Sequence, residues 1–135
     1  MKFMLDTNIC IYLIKKKPDY LIRRLKTFEV SDIVISSMTL SELEYGIEKS
    51  QNSAQNRMAL DGFVAPFDIV HYDNRAAMHY GKIRANLEKK GKIIGPLDLC
   101  IAAHALSLDL VLVTNNVREF SRVEGLKILN WIKSR

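Results

Sequence analysis

Residues 95–116 read GPLDLCIAAHALSLDLVLVTNN, and this stretch decides the fold class. Pro96 stands at the favoured first position of a helix, where its missing N–H removes no bond. Leu99, Ile101, Ala102 and Ala105 continue that helix. Leu110 to Val113 (LVLV) is then continuously apolar, the pattern of a strand buried on both faces at the centre of a parallel sheet. A helix that feeds a doubly buried strand is half of a βαβ unit and predicts an α/β chain.

The rest of the chain repeats this alternation. Lys2 to Asp6 reads as a short buried strand. Thr7 is expected to cap a helix through Ile11, Leu13 and Ile14 to the Lys15–Lys16–Lys17 run, where Pro18 stops it. Asp19 to Phe28 reads as a second helix, with Leu21, Ile22 and Leu25 at helical spacing. Asp32 to Ser36 (DIVIS) is β-branched and reads as strand two. Thr39 and Glu42 fit a capping box at the start of a helix through Leu40, Leu43 and Ile47. Further helices are expected over Asn52 to Val64 and, strongly basic, Asn74 to Lys90. Phe67 to His71 reads as a strand, Val117 to Phe120 as a helical turn and Lys127 to Leu129 as a last edge strand. Right-handed crossovers then give a parallel sheet covered on both faces.

Length and composition agree with one compact domain spanning 1–135. The chain has 135 residues, 48% hydrophobic and 26% charged, with 3 Pro and 6 Gly, which excludes disordered, collagen-like and disulfide-scaffold classes. Its net charge of +5 favours an anionic partner, nucleic acid first. Lys15, Lys16, Lys17, Arg23, Arg24 and Lys26 concentrate in the first helical pair; Lys82, Arg84, Lys89, Lys90 and Lys92 cluster around the long helix. Each taken singly reads as a solvated charge, but together they suit a phosphate backbone. Cys10 and Cys100 show no CxxC and read as reduced core thiols of a cytoplasmic protein. Asp6 interrupts the apolar start and no small-residue cleavage site follows, so no export signal is expected. Leu97 to Val113 contains Asp98, His104 and Asp109 and reads as no membrane span.

In open parallel sheets ligands bind beyond the carboxyl ends of the strands. Asp6 ends strand one, Glu42 lies in the first turns of the helix after strand two, Asp98 in the first turn of the helix before strand four, and Glu119 just after strand four. Four carboxylates from distant parts of the chain can thus meet in one cleft. Like charges so placed raise one another's pKa and call for a divalent cation, and oxygen-only ligation selects Mg²⁺ or Mn²⁺ over Zn²⁺. Asn8 and Asn116 add neutral polar groups beside them. An acid in a first helical turn also suits the helix dipole without any catalysis, the plainer reading of Glu42, Asp98 and Glu119 one by one. Asp6 is harder to dismiss, because a carboxylate ending a buried strand needs a partner. Glu44, Glu48, Glu88 and Glu124 read as solvated. His71, His79 and His104 have no metal-ligand spacing and read as satisfied or half-buried. GxSxG, HExxH, Walker A and GxGxxG motifs are absent.

The opening MLDTNICIYLIKKKP, then ISSMTLSELEYGIEKS, GPLDLCIAAHA and VTNNVREF, in this order and spacing, together resemble the PIN-domain ribonucleases, and more narrowly the VapC toxins of VapBC toxin–antitoxin modules. The resemblance implies a three-layer α/β sandwich with a parallel sheet of four or five strands. It implies Mg²⁺- or Mn²⁺-dependent RNA hydrolysis that leaves 5′-phosphate and 3′-hydroxyl ends and inhibits translation. The family's acidic site falls on Asp6, Glu42 and Asp98, with Glu119 a usual fourth, and its polar positions on Thr7, Asn8, Thr114 and Asn116. Many PIN domains carry an aspartate where this chain has Asn116, which leaves open how a second metal would be held. Enteric relatives cleave initiator tRNA in the anticodon stem-loop. The likeness also implies a homodimer, neutralisation by a VapB-type antitoxin, and operator DNA reached only through that antitoxin. Leu21, Ile22, Leu25 and Tyr45 are candidate linings of the antitoxin groove, with ordinary core as the plainer reading.

Three other readings compete. A receiver-like domain needs paired acids after strand one and a lysine after the last core strand; this chain has Thr7 and Asn8, then Thr114 and Asn115. A DxD phosphatase needs an aspartate where Asn8 stands. A non-catalytic nucleic-acid-binding module accounts for the charge but leaves Asp6 without a role. The expectation carried forward is a metal-dependent endoribonuclease.

Overall fold

The structure, a computed structural model, describes residues 1–133. Five strands form one parallel sheet in the order β3-β2-β1-β4-β5. They are β1 (Phe3–Leu5), β2 (Ile33–Ser36), β3 (Asp68–Val70), β4 (Val111–Val113) and β5 (Ile128–Leu129). The N-terminal strand is central, with Met4 paired to Val34 on one side and to Leu112 on the other.

Side-chain alternation splits the core into two layers. Met4, Val34 and Leu112 face one cluster with Ile83 and Leu87 of α5 (Asn74–Lys89), Ile101 of α6 (Pro96–Ser107) and Phe120 of α7 (Val117–Phe120). Leu5, Ile33, Ile35 and Val113 face the other. There they meet Ile9, Cys10 and Leu13 of α1 (Thr7–Lys15), Leu21 of α2 (Asp19–Leu25), Leu43 and Ile47 of α3 (Ser37–Glu48), and Leu60 of α4 (Ser53–Val64). A sheet apolar on both faces must be covered on both, so the three-layer sandwich follows from strands such as LVLV. Gly91 takes a positive φ of 64° just past the end of α5, the left-handed position glycine fills without Cβ strain.

Several local expectations need correction. Asp6, not Thr7, caps α1: its Oδ1 accepts from the Ile9 amide at 2.9 Å. Ser36, not Thr39, caps α3 by accepting from the Met38 amide at 3.1 Å, so the Thr39–Glu42 capping box does not form and Thr39 is buried. The earlier oxygen wins in both cases because the chain turns into the helix directly at the strand end. The second helix stops at Leu25, where Phe28 is drawn into an aromatic stack with Trp131, centroids 5.1 Å apart. Leu21 is fully buried in the core and cannot line a docking groove. Cys10 is buried and Cys100 only half-buried, and both are free thiols. The acids read as solvated are partly paired at the surface: Glu44 with Arg57, Glu88 with Arg84 and Glu124 with Lys90.

Candidate metal centre

The carboxyl ends of β1, β2 and β4 deliver the site. Asp6 follows β1 and is 4% exposed. Beyond its bond to the Ile9 amide, its other oxygen accepts from the Thr114 hydroxyl. Thr114 follows β4 and also accepts from the Asn116 amide at 2.9 Å, so one hydroxyl locks two strand ends together. Asn116 Nδ2 reaches Asp98 Oδ2 at 3.3 Å. On the other side, Thr7 Oγ1 donates to Glu42 Oε1 at 2.7 Å. Three of the four polar positions thus orient three of the carboxylates. Asn8 is exposed and makes no side-chain hydrogen bond among the described residues.

The charges feel one another. Burial, reinforced by the Asp98 and Glu42 carboxylates and opposed by the bonds from Thr114 and Ile9, pushes Asp6 up to about 6. Burial also raises Asp98, helped by Glu119 and then Glu42 and opposed by Asn116. All four acids therefore lie within electrostatic reach of at least one other. Among the described residues they are not already drawn into a ligand cage, since no three His, Cys, Asp or Glu side chains stand in metal-binding geometry. The donor set still fits a hard divalent cation. It is all oxygen, it holds a buried acid, and its members destabilise one another when ionised.

His104, which reads from the sequence as satisfied or half-buried, has one specific partner. It is buried, its Nδ1 lies 2.8 Å from Ser36 Oγ, and burial lowers its pKa. With Ser36 accepting from the Met38 amide, its own proton is free for Nδ1. This contact ties the start of α3, which carries Glu42, to α6, which carries Asp98. Sequence reasoning missed Ser36; the only cue was a serine at a strand-to-helix junction. Ser36→Ala removes a helix cap and strands a buried ring nitrogen together. We expect a loss of about 1–3 kcal/mol in denaturant unfolding.

Clefts open on the described surface, and one of them includes Glu42 in its lining. One of about 370 Å³ runs along Ile11, Ile14, Leu43, Ile47 and Leu60, with Glu42, Lys15 and Lys49 among its lining. Another of about 500 Å³ is lined by Lys90, Lys92, Arg118, Ser121, Arg122 and Glu124. A third, about 790 Å³, is lined by Tyr20, Arg23, Arg24, Trp131 and neighbours and contains none of the four acids. Of the residues considered for an antitoxin groove, Ile22 and Leu25 are half-buried against the core and Tyr45 is exposed, its ring under Lys49. None of them lines the cleft beside Glu42.

Residues 3–126 match the PIN domain family model. The chain is 49% identical over 131 residues to the tRNA(fMet)-specific endonuclease VapC of Salmonella typhimurium, covering 97% of this chain and 98% of that one. A DNA-bound VapBC structure from the same organism superposes on 98% of this chain and 99% of its own, with a TM-score of 0.93 at 48% identity. VapBC2 from Rickettsia felis, bound to a promoter DNA fragment, gives 0.92 at 42% identity over 98% of this chain and all of its counterpart.

Proposed function

This chain belongs to the PIN-domain family, among the VapC ribonucleases, and from that premise we propose that Asp6, Glu42, Asp98 and Glu119 carry its RNA hydrolysis as one PIN domain over residues 1–135. The chain is an endoribonuclease toxin of a toxin–antitoxin system, and its partner is a VapB antitoxin. PIN ribonucleases depend on a divalent metal; Mg²⁺ is the ion we assign, with Mn²⁺ able to replace it. We assign tRNA as the substrate and initiator tRNA, cut in the anticodon stem-loop, as the specific target. The support is that the relative at 49% identity is a tRNA(fMet)-specific endonuclease. The cytoplasm is the compartment we assign, as the toxin–antitoxin reading implies; both cysteines are free thiols. A homodimer is the assigned resting state, with operator DNA reached only through the antitoxin. The antitoxin segment is assigned to the apolar cleft beside Glu42.

The observation that carries the site assignment is the buried Asp6 wired to Thr114 across the sheet centre, with Asp98 and Glu42 close enough to raise its pKa. Asp6 and Asp98 would hold the metal, which when bound supplies positive charge to a phosphate and to its leaving oxygen. Glu42, fixed by Thr7, and Glu119, half-buried on α7, are placed to complete the shell or to take a proton from the attacking water. In the net reaction water oxygen bonds to phosphorus, the bond to the 3′-oxygen breaks, and that oxygen leaves protonated. Asn116 holds Asp98 from the β4 side, and Thr114 holds Asp6. The residues supply position, and side chains already oriented by hydrogen bonds leave less to reorganise when the reaction begins.

Total bacterial tRNA incubated with the antitoxin-free protein and Mg²⁺, Mn²⁺ or EDTA tests this reading. Discrete metal-dependent cuts, mapped to the initiator tRNA, are expected; intact tRNA in every lane with folded protein would overturn it. Thr7→Val keeps the side-chain volume and releases Glu42. We expect kcat lower by roughly tenfold, with KM and the unfolding midpoint nearly unchanged.

A further inference from the structure

The cleft between the end of α5 and α7 has a composition that the metal site does not use. Lys90, Lys92, Arg118 and Arg122 line it, with Glu124 as its one acid and Ser121 as its neutral polar group. Glu124 is already ion-paired to Lys90. Arg122 is half-buried and donates to the Ile93 carbonyl at 3.1 Å, which pins the segment carrying Lys92 against the end of α7. That same segment runs on through Gly95 into α6 and Asp98, while α7 carries Glu119 next to Arg118. The cleft therefore takes Arg118 from α7, next to Glu119 in the chain, and Lys92 from the segment that leads into α6. Lys92 and Arg118 are exposed, and neither makes a salt bridge or side-chain hydrogen bond among the described residues. Two unpaired cations and a pinned guanidinium, one of the cations next to Glu119 in the chain, mark a place for an anion.

We propose that this cleft is a phosphate subsite for the RNA strand: Lys92 and Arg118 grip a backbone phosphate beside the scissile one and set the strand's register over Asp98 and Glu119. The proposal rests on the ribonuclease reading of the site. It divides the labour of charge. The acids would repel a polyanion, and the neighbouring cations offset that repulsion on one flank only. The strand then has a preferred approach from the α7 side, away from the apolar cleft beside Glu42. Arginine and lysine contacts to phosphate position a nucleic acid without reading bases, so this cleft contributes affinity and register while base selection lies elsewhere.

The test separates binding from cleavage. Fluorescence-labelled tRNA is titrated with the full chain in EDTA over a series of salt concentrations, and cleavage is measured separately in Mg²⁺. The double variant Lys92→Gln/Arg118→Gln is compared with the parent and with Lys127→Gln, a lysine that faces Asp109 and lines no part of this cleft. Arg122 is left intact because it holds the segment. The double variant is expected to bind roughly tenfold more weakly at low salt, with the slope of log K against log salt smaller by about one to two. In Mg²⁺ its KM should rise with kcat little changed. Lys127→Gln should match the parent. Parental affinity and salt slope in the double variant would overturn the subsite even if cleavage proceeds. A parent that binds tRNA through these residues but never cuts would instead keep the subsite and overturn the nuclease. A parent that does not bind tRNA at all overturns the subsite as well.

Discussion

Asp6→Asn is expected to lower RNA cleavage by about a thousandfold or more while leaving the protein folded, and in the metal-free state more stable at neutral pH. The substitution keeps an oxygen to cap α1 through the Ile9 amide and removes the charge at the centre of the acidic group. Losing a metal-directed carboxylate forfeits several kcal/mol of transition-state stabilisation, and each 1.36 kcal/mol is tenfold. The stability side follows from linkage. The Asp6 carboxyl is raised from 3.8 to about 6 in the fold, first by burial. A raised acid favours the folded state fully below its unfolded pKa, and that contribution is lost as pH rises through the folded value. The metal-free parent should therefore lose on the order of 3 kcal/mol between about pH 4 and 7 from this one group. The asparagine variant should lack that part of the slope, less whatever the altered contact to Thr114 costs. Denaturant unfolding in EDTA at several pH values reads the stability, and single-turnover cleavage in Mg²⁺ reads the chemistry. A variant that cleaves at the parental rate would sink the role given to Asp6.

Phe120→Ala is the largest stability change we expect from a single side chain near the site. Phe120 is fully buried at the end of α7 and packs in the cluster with Leu99, Ala102, Leu112 and Val123. Truncating a buried aromatic costs about 3–5 kcal/mol through lost burial and the cavity left behind. For a domain this size that lowers Tm by roughly 10 °C or more. The same ring anchors the short helix that carries Arg118 and Glu119. Cleavage should fall at temperatures well below the new Tm, because α7 loses its only deep anchor while Asp6 and Asp98 keep theirs. Phe120→Leu, which fills most of the space, should recover most of both. Equal activity in the alanine variant would show that Glu119 is not needed in place.

The architecture was legible because its signals are local. LVLV, the β-branched DIVIS run and Pro96 each announce their element within a few residues, and all five strands were anticipated. That the four acids come within electrostatic reach of one another was legible too, since topology brings those parts of the chain to one end of the sheet. Their orientation was not. Thr114 to Asp6 spans 108 positions and Thr7 to Glu42 spans 35, and no pattern within the sequence pairs such residues. Helix starts were misread where two capping residues stood close together: Asp6 beside Thr7, and Ser36 ahead of Thr39. Choosing between them depends on where the strand releases the chain, which is a tertiary fact. Leu21 shows the same limit. Helical spacing marks it as apolar but does not say whether the apolar side meets the core or a groove.

The central place of β1 has a consequence for synthesis. Phe3 to Leu5 is the first strand made, yet one of its edges stays open until residues 111–113 are available to pair with it. At ordinary translation speeds about 5–20 s pass between the two. Until then Asp6 lacks its Thr114 hydroxyl. The orientation of Asp6 thus waits on translation past residue 114, long after the strand that delivers it has been made.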